Sequence, residues 1–338
     1  MKTSTFIYII SLLLCFACSK TEPQGCFPSD QLPDHISSLT SFGQRAEWSL
    51  DGSTIFFVDS AGGDIWKVDV ETKKTKKITK PEFRPEGHGY YRVLCLSNGD
   101  LLFTCGPERY VLYFQVMDKS LKKAPVKIDE SIQEGPAISR TDLKIAWSPD
   151  HRNIWFANIA YKDGLPVFEN KKMIIDNSNI VVDSIKYEDI LEPQSFRPYE
   201  ENELIWSQYG NDSRGVFTSE TMGYNLETGQ LMNYSKSPGQ YDEPEGMFPD
   251  GEYTLIECDR HNRIGNSKIE LYKLKLDGSG ETFERLTYFS DVEGYRASNP
   301  VVRDDGKMIA FQASFSGSAP GAGCGLYLFD LEKYYTSK

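Results

Sequence analysis

Six turn signals recur along the 338-residue chain at residues 52, 99, 142, 202, 251 and 306, each followed by a run of β-forming residues. They predict an all-β fold, a six-bladed β-propeller of four-stranded antiparallel blades. The successive spacings of 47, 43, 60, 49 and 55 residues suit blades of about 40 to 50 residues with insertions in their loops. A third observation concerns closure. The last repeat lacks an outer strand, and Ile36 to Thr40 precedes the first repeat without a place in it. This N-terminal strand is expected to complete the last blade and close the ring, which protects sheet edges that a linear array would leave open.

The clearest repeat, blade five, runs from Asp242 to Leu276. Pro249-Asp250-Gly251 forms its turn, Tyr253 to Cys258 its second strand, and Ile269 to Leu276 its third, with Phe283 to Tyr288 closing it. Asp-Gly suits such a hairpin because both residues tolerate positive φ. Blade one turns at Asp51-Gly52 and continues through Thr54 to Val58, Ile65 to Val70 and Lys76 to Thr79. Blade two starts near Tyr90, turns at Asn98-Gly99 and continues through Leu101 to Thr104, Val111 to Val116 and Val126 to Ile128. In blade three, GPAISRTDLKIAW at 135–147 aligns with NPVVRDDGKMIAF at 299–311, which favours a hairpin at Thr141-Asp142 over the competing Pro149-Asp150-His151. Residues 166–191 exceed one outer strand and predict an additional hairpin. Blade four runs from Gln194 through Glu201-Asn202 to Tyr234, and blade six turns at Asp305-Gly306.

A net charge of -12 argues against nucleic-acid binding, which selects a basic footprint. Lys2, the apolar run Phe6 to Leu14 and Cys15-Phe16-Ala17-Cys18 form a targeting segment. It resembles a bacterial lipoprotein signal, which implies cleavage before Cys18 and lipidation of that cysteine; a plain secretory signal is the runner-up. The expected organisation is a signal over 1–17, a lipidated tether over 18–34 and the propeller over 35–338, a monomer anchored to the membrane at the cell envelope. The remaining cysteines, Cys26, Cys95, Cys105, Cys258 and Cys324, are odd in number and do not read as a disulfide framework. A two-residue Asn98-Gly99 hairpin pairs Cys95 with Leu102 and puts Cys105 on the opposite sheet face.

The Asp-Gly-turn blades resemble the propeller repeats of the TolB family. That resemblance implies fold more than function, since such blades serve as scaffolds, enzyme domains and lyases. In such a ring the starts of the inner strands and the loops joining second to third strands share one face, and the candidate site is the channel mouth there. Arg45, Glu47, Arg92, Glu134 and Asn299 are candidate ligand-binding residues at this mouth, with Gln194 beside them. His88, His151 and His261 fall on the same face, and histidine is a common metal ligand. Glu243-Pro244-Glu245 supplies two carboxylates that suit acid and base roles or calcium; pairing with nearby arginines is the other reading.

This set is similar to that of the oligogalacturonate lyases, secreted propellers in which histidines and a glutamine hold a divalent metal beside an acidic sugar. The resemblance implies His88, His151, His261 and Gln194 as ligands of manganese or calcium, with Arg260 or Arg296 meeting a uronate carboxylate, for which the planar guanidinium fork is suited. No Gly-x-Ser-x-Gly elbow, His-Glu-x-x-His or Walker loop is present. Two functions are expected from these features: recognition of a glycan or an envelope protein at the channel mouth, or metal-assisted lysis of a uronate-containing oligosaccharide.

Overall fold

The structure, a computed structural model, describes residues 24–179, 181–182, 185–186, 190–198 and 202–338. The expected signal, Cys18 and turn residue Glu201 lie outside the described residues. Six four-stranded antiparallel sheets make the six blades. The first strand, β1 (Ile36–Ser38), belongs to the last blade. Blade 1 is β2 (Gln44–Trp48), β3 (Thr54–Val58), β4 (Ile65–Asp69) and β5 (Thr75–Lys77). Blade 2 is β6 (Gly89–Cys95), β7 (Leu101–Glu108), β8 (Val111–Met117) and β9 (Val126–Ile132). Blade 3 is β10 (Ala137–Ile138), β11 (Lys144–Trp147), β12 (Asn153–Lys162) and β13 (Leu165–Asp176), after which β14 (Val181–Val182) and β15 (Ile185–Lys186) form the additional hairpin. Blade 4 is β16 (Ile190–Phe196), β17 (Glu203–Asn211), β18 (Phe217–Asn225) and β19 (Leu231–Asn233). Blade 5 is β20 (Asp242–Met247), β21 (Tyr253–Cys258), β22 (Glu270–Lys275) and β23 (Phe283–Arg285). Blade 6 is β24 (Tyr295–Val302), β25 (Met308–Phe315) and β26 (Leu326–Asp330), completed by β1 through Ile36↔Phe329, Ser37↔Leu328 and Ser38↔Tyr327.

Two local expectations are corrected. The turn in blade 2 spans three residues, because Leu96 N–H donates to Asp100 O at 2.9 Å while Gly99 takes a left-handed φ of 89°. Cys95 therefore pairs with Leu101 rather than Leu102. A one-residue slip moves side chains to the other face, so Cys95 and Cys105 enter the same core between blades 1 and 2. Among the described residues the cysteines also contain one disulfide, Cys26–Cys324, spanning 298 residues, and leave Cys95, Cys105 and Cys258 as buried thiols. Counting parity missed it because ring closure, rather than local spacing, brings these two residues together; the Cys26 N–H also donates to Cys324 O at 3.1 Å.

The apolar side chains pack between neighbouring blades. Trp48 and Phe57 of blade 1 meet Ala310 and Leu328 of blade 6, and Ile205 of blade 4 meets Ile256 and Leu274 of blade 5. Burial between sheets drives the ring together at about 25 cal/mol per Å² of apolar surface. Because each sheet spends its apolar faces on its neighbours, the inner edges are left to line a polar channel.

Candidate functional site in the central channel

Five of the six inner strands carry a β-bulge at a corresponding level. The register breaks between Gln44 and Glu47, Tyr90 and Arg92, Pro193 and Ser195, Pro244 and Gly246, and Ser298 and Val301. A bulge inserts a residue that the ladder does not claim and re-aims its side chain. Arg45, Gln194, Glu245 and Asn299 sit in these breaks, and all four line the channel. Proline, which cannot donate to a ladder, occupies positions 193, 244 and 300 beside the breaks. Arg45 and Asn299 adopt left-handed φ values of 56° and 48°, conformations that cost energy in residues other than glycine and cluster at functional sites.

The channel has two chambers. One, about 700 Å³, opens among the hairpin turns and is lined by Trp48, Arg140, Lys144, Phe196, Met247 and Arg303, among others. The other, about 140 Å³, lies toward the loops joining second to third strands and includes Tyr110, His151, Glu192, Tyr209, Glu257 and Arg296. Arg45, Arg92 and Glu245 line both and form the waist. The roomier chamber thus opens on the hairpin face, opposite the mouth inferred from the sequence.

At the waist, Arg92 stands 3.3 Å from Glu192 and 3.8 Å from Glu245. Arg109 pairs with Glu134 at 2.6 Å. Glu243 accepts from the Tyr209 and Tyr241 hydroxyls and from Gln194 Nε2 at 3.4 Å, while Tyr209 also reaches Glu192 at 2.9 Å. Asn299 donates its side-chain amide to Glu245 at 2.9 Å and its backbone N–H to Glu257 at 2.6 Å. Arg45 differs from these. Its backbone N–H donates to Gln312 at 2.7 Å, yet its buried guanidinium has no carboxylate within ion-pair distance among the described residues. Burial, followed by repulsion from Arg92, lowers its pKa to about 10. The Glu245, Glu192 and Glu134 carboxylates raise that of Arg92 against the opposing effect of burial. Burial also raises the Glu243 and Glu245 carboxyls well above the ordinary range, and Glu257 to about 8, with neighbouring carboxylates adding to each.

The other sequence candidates separate by position. Glu134 and Arg296 line the loop-side chamber, where Arg296 donates to backbone carbonyls, among them Ser318 O at 3.1 Å. Glu47 faces the hairpin-side chamber and pairs with Arg140 at 2.6 Å. Arg260 lies away from the channel, stacked 3.3 Å from the Phe283 ring centroid and 3.7 Å from Asp242. His151 lines the loop-side chamber, and burial lowers its pKa. His88 contacts Tyr113 at 3.3 Å, and His261 contacts Ser290 at 2.9 Å. The three histidines do not converge. Among the described residues, the one group of histidine, cysteine and acidic ligand atoms that comes together is Glu243, Glu245 and Glu257, within 4.8 Å of one another.

Sequence reasoning missed Glu192, Glu257, Tyr209 and Tyr241. A signal for Glu192 was present, since Glu192-Pro193-Gln194 repeats the Glu243-Pro244-Glu245 pattern one blade earlier. Glu257, set in the second strand directly opposite Glu243, reads in sequence as an ordinary strand residue.

No protein-family model matches the chain, and no curated protein sequence matches it. Solved structures do resemble it. An oligogalacturonate lyase in complex with manganese superposes with a TM-score of 0.52 at 13% identity, covering 88% of this chain and 78% of that one. The oligogalacturonate lyase of Vibrio parahaemolyticus gives 0.47 at 16% identity over 87% and 79%. The β-propeller domain of the Trilobed protease from Pyrococcus furiosus gives 0.48 at 11% identity over 84% and 78%. At these identities the likeness is one of fold.

Proposed function

We propose that this chain is an extracytoplasmic, lipid-anchored binding propeller of TolB-like kind, and that its central channel receives an acidic glycan whose carboxylate meets Arg45. The observation that carries this reading is the buried Arg45 guanidinium at the junction of the two chambers, held on a left-handed backbone and, among the described residues, without a carboxylate at ion-pair distance. An isolated buried cation is costly, and a ligand carboxylate would supply the bidentate partner that guanidinium fits. The hairpin-side chamber, at about 700 Å³, lies within the size range of small-molecule sites, ~300–1,000 Å³. Its Arg140, Lys144 and Arg303 are paired with Glu47, Asp142 and Asp305 and make a polar wall, and its Phe196 and Met247 give apolar contact. Tyr90 is fully buried between blades and serves packing, while Trp48, buried against blade 6, also borders the hairpin-side chamber.

The alternative, a metal-assisted lyase acting on uronate-containing oligosaccharides, has less support, because His88, His151, His261 and Gln194 do not assemble the ligand set that the resemblance implies.

Calorimetric titration of the mature protein with galacturonate oligomers and with uncharged oligosaccharides of equal length tests the proposal. Binding confined to the acidic series, and weakened about 10- to 100-fold by Arg45→Gln, is expected for one lost charge-assisted contact. Equal binding of both series, or none of either, refutes it. Appearance of an ultraviolet-absorbing unsaturated product in the same mixtures would favour the lyase.

A further inference from the structure

The loop face of blades 5 and 6 exposes large apolar side chains from three neighbouring segments. Ile264 (46% exposed) stands in the loop joining β21 to β22, Tyr288 (55%) in the segment joining β23 to β24, and Phe315 (48%) at the end of β25. These segments are bound to one another. His261 contacts Ser290 at 2.9 Å and ties the first to the second, and the Tyr295 ring, at the start of β24, lies 5.5 Å from that of Phe315. Single exposed apolar residues are ordinary, but a group of them at one end of two adjacent blades marks a surface that something covers.

The point at which the chain enters the fold identifies what covers it. Gln24 is exposed, and from Gly25 onward the chain is fixed at the loop end of blade 6. A Cβ built on Gly25 would come within 2.3 Å of the Tyr327 hydroxyl, and Cys26 is bonded to Cys324. The Phe27 ring lies 4.0 Å from that of Phe289, the neighbour of Tyr288, and 5.3 Å from that of Tyr295. The tether therefore leaves the fold beside the exposed apolar group. Cys18 stands six residues before Gln24, and six residues reach at most about 22 Å. A lipid on Cys18 keeps this end of the propeller close to the bilayer, where a short tether raises the effective concentration of the membrane at the patch. Aromatic rings with a polar tip, such as Tyr288, suit the membrane interface. With a net charge of -12 the chain gains nothing from anionic headgroups, so the contact is apolar.

We propose that Ile264, Tyr288 and Phe315 form a bilayer-docking surface, which seats the loop face of blades 5 and 6 on the membrane and turns the roomier hairpin-side chamber toward the aqueous phase. This orientation rests on the Cys18 anchor of the reading above and not on its glycan ligand.

The mature chain with a hexahistidine tag at its N-terminus, held on phosphatidylcholine vesicles doped with nickel-chelating lipid, tests the surface without relying on lipidation. Brominated acyl chains quench tryptophan that enters the bilayer. Quenching relative to unbrominated vesicles is expected for Phe315→Trp and Tyr288→Trp but not for Leu50→Trp, at an exposed position on the hairpin side. Replacing Tyr288 and Phe315 together by serine should abolish the quenching of Ile264→Trp while leaving the urea midpoint nearly unchanged. Equal quenching at 50 and 315, or none at 264, 288 and 315 in protein that floats with the vesicles, overturns the proposal. So does a dimer in sedimentation that the double substitution abolishes, which would assign the patch to a second copy of the chain. The mass of the Cys18-containing fragment from cell envelopes tests the anchor by itself; an unmodified Cys18 overturns the anchor, and the quenching pattern still decides the surface.

Discussion

The guanidinium of Arg45 lies against the backbone of Gly321: a Cβ built on Gly321 would come within 2.1 Å of Nη2. Gly321 also has a left-handed φ of 73° and accepts from Gln312 Nε2 at 3.2 Å. The same Gln312 holds the Arg45 backbone. One loop of blade 6 thus sets the position of a blade 1 side chain at the channel waist.

Gly321→Ala is therefore expected to push the guanidinium out of place while leaving the interblade cores intact. We expect loss of acidic-glycan binding comparable to that of Arg45→Gln, with destabilisation of about 1–2 kcal/mol from the left-handed alanine. Calorimetry and urea unfolding measure the two effects separately; unchanged affinity would show that Gly321 does not position Arg45.

Asp242 gives a pH signature. It is fully buried, 3.7 Å from Arg260, and burial raises its pKa to about 7. The folded state therefore holds a proton that the unfolded state, titrating near 3.8, has released. The contribution of Asp242 to stability is therefore greatest at low pH and declines as pH rises through this window, by up to about 1.4 kcal/mol per unit. Asp242→Asn should remove roughly 2 kcal/mol of the fall in unfolding free energy between pH 5.5 and 7, read from urea curves. Parallel profiles for the two proteins would contradict this.

Removing the Cys26–Cys324 disulfide by double serine substitution is expected to cost about 2–5 kcal/mol. Reduction of the wild type with dithiothreitol should reproduce the shift and have no effect on the variant, as read by thermal unfolding. A reductant effect of equal size in both proteins would place the cause elsewhere.

Arg140 spans the hairpin-side chamber, 2.6 Å from Glu47 and 2.8 Å from Asp304. Burial already raises the Glu47 carboxyl, and Arg140 opposes that rise. Arg140→Gln should destabilise by about 3 kcal/mol at pH 8, where Glu47 is left charged and unpaired. The loss should shrink toward pH 5, where Glu47 can protonate. Denaturant curves at the two pH values check this, and a loss independent of pH would count against the Glu47 pair.

The blades were legible because five of the six pair a Gly- or Asp-bearing turn with β-forming residues at intervals of 43 to 60 residues, and because turn chemistry is local. Alignment on those turns also brought Arg45, Gln194, Glu245 and Asn299 to the axis. The histidines were not legible in the same way, since how far a loop carries His88 or His261 from the axis depends on contacts such as Tyr113 and Ser290 that no repeat encodes. Glu257 was hidden by strand periodicity. It occupies a second-strand position, and only the pairing of β20 with β21 shows that it faces Glu243.

The recurring bulge separates two kinds of information in this chain. Residues at 45, 194, 245 and 299 are released from the ladder, while the apolar residues between blades hold the ring. Mutations can therefore accumulate in the lining without passing through the cores. A new specificity could arise within one blade while the other five stay as they are, so descendants of this scaffold can diverge in what they hold long before they diverge in shape.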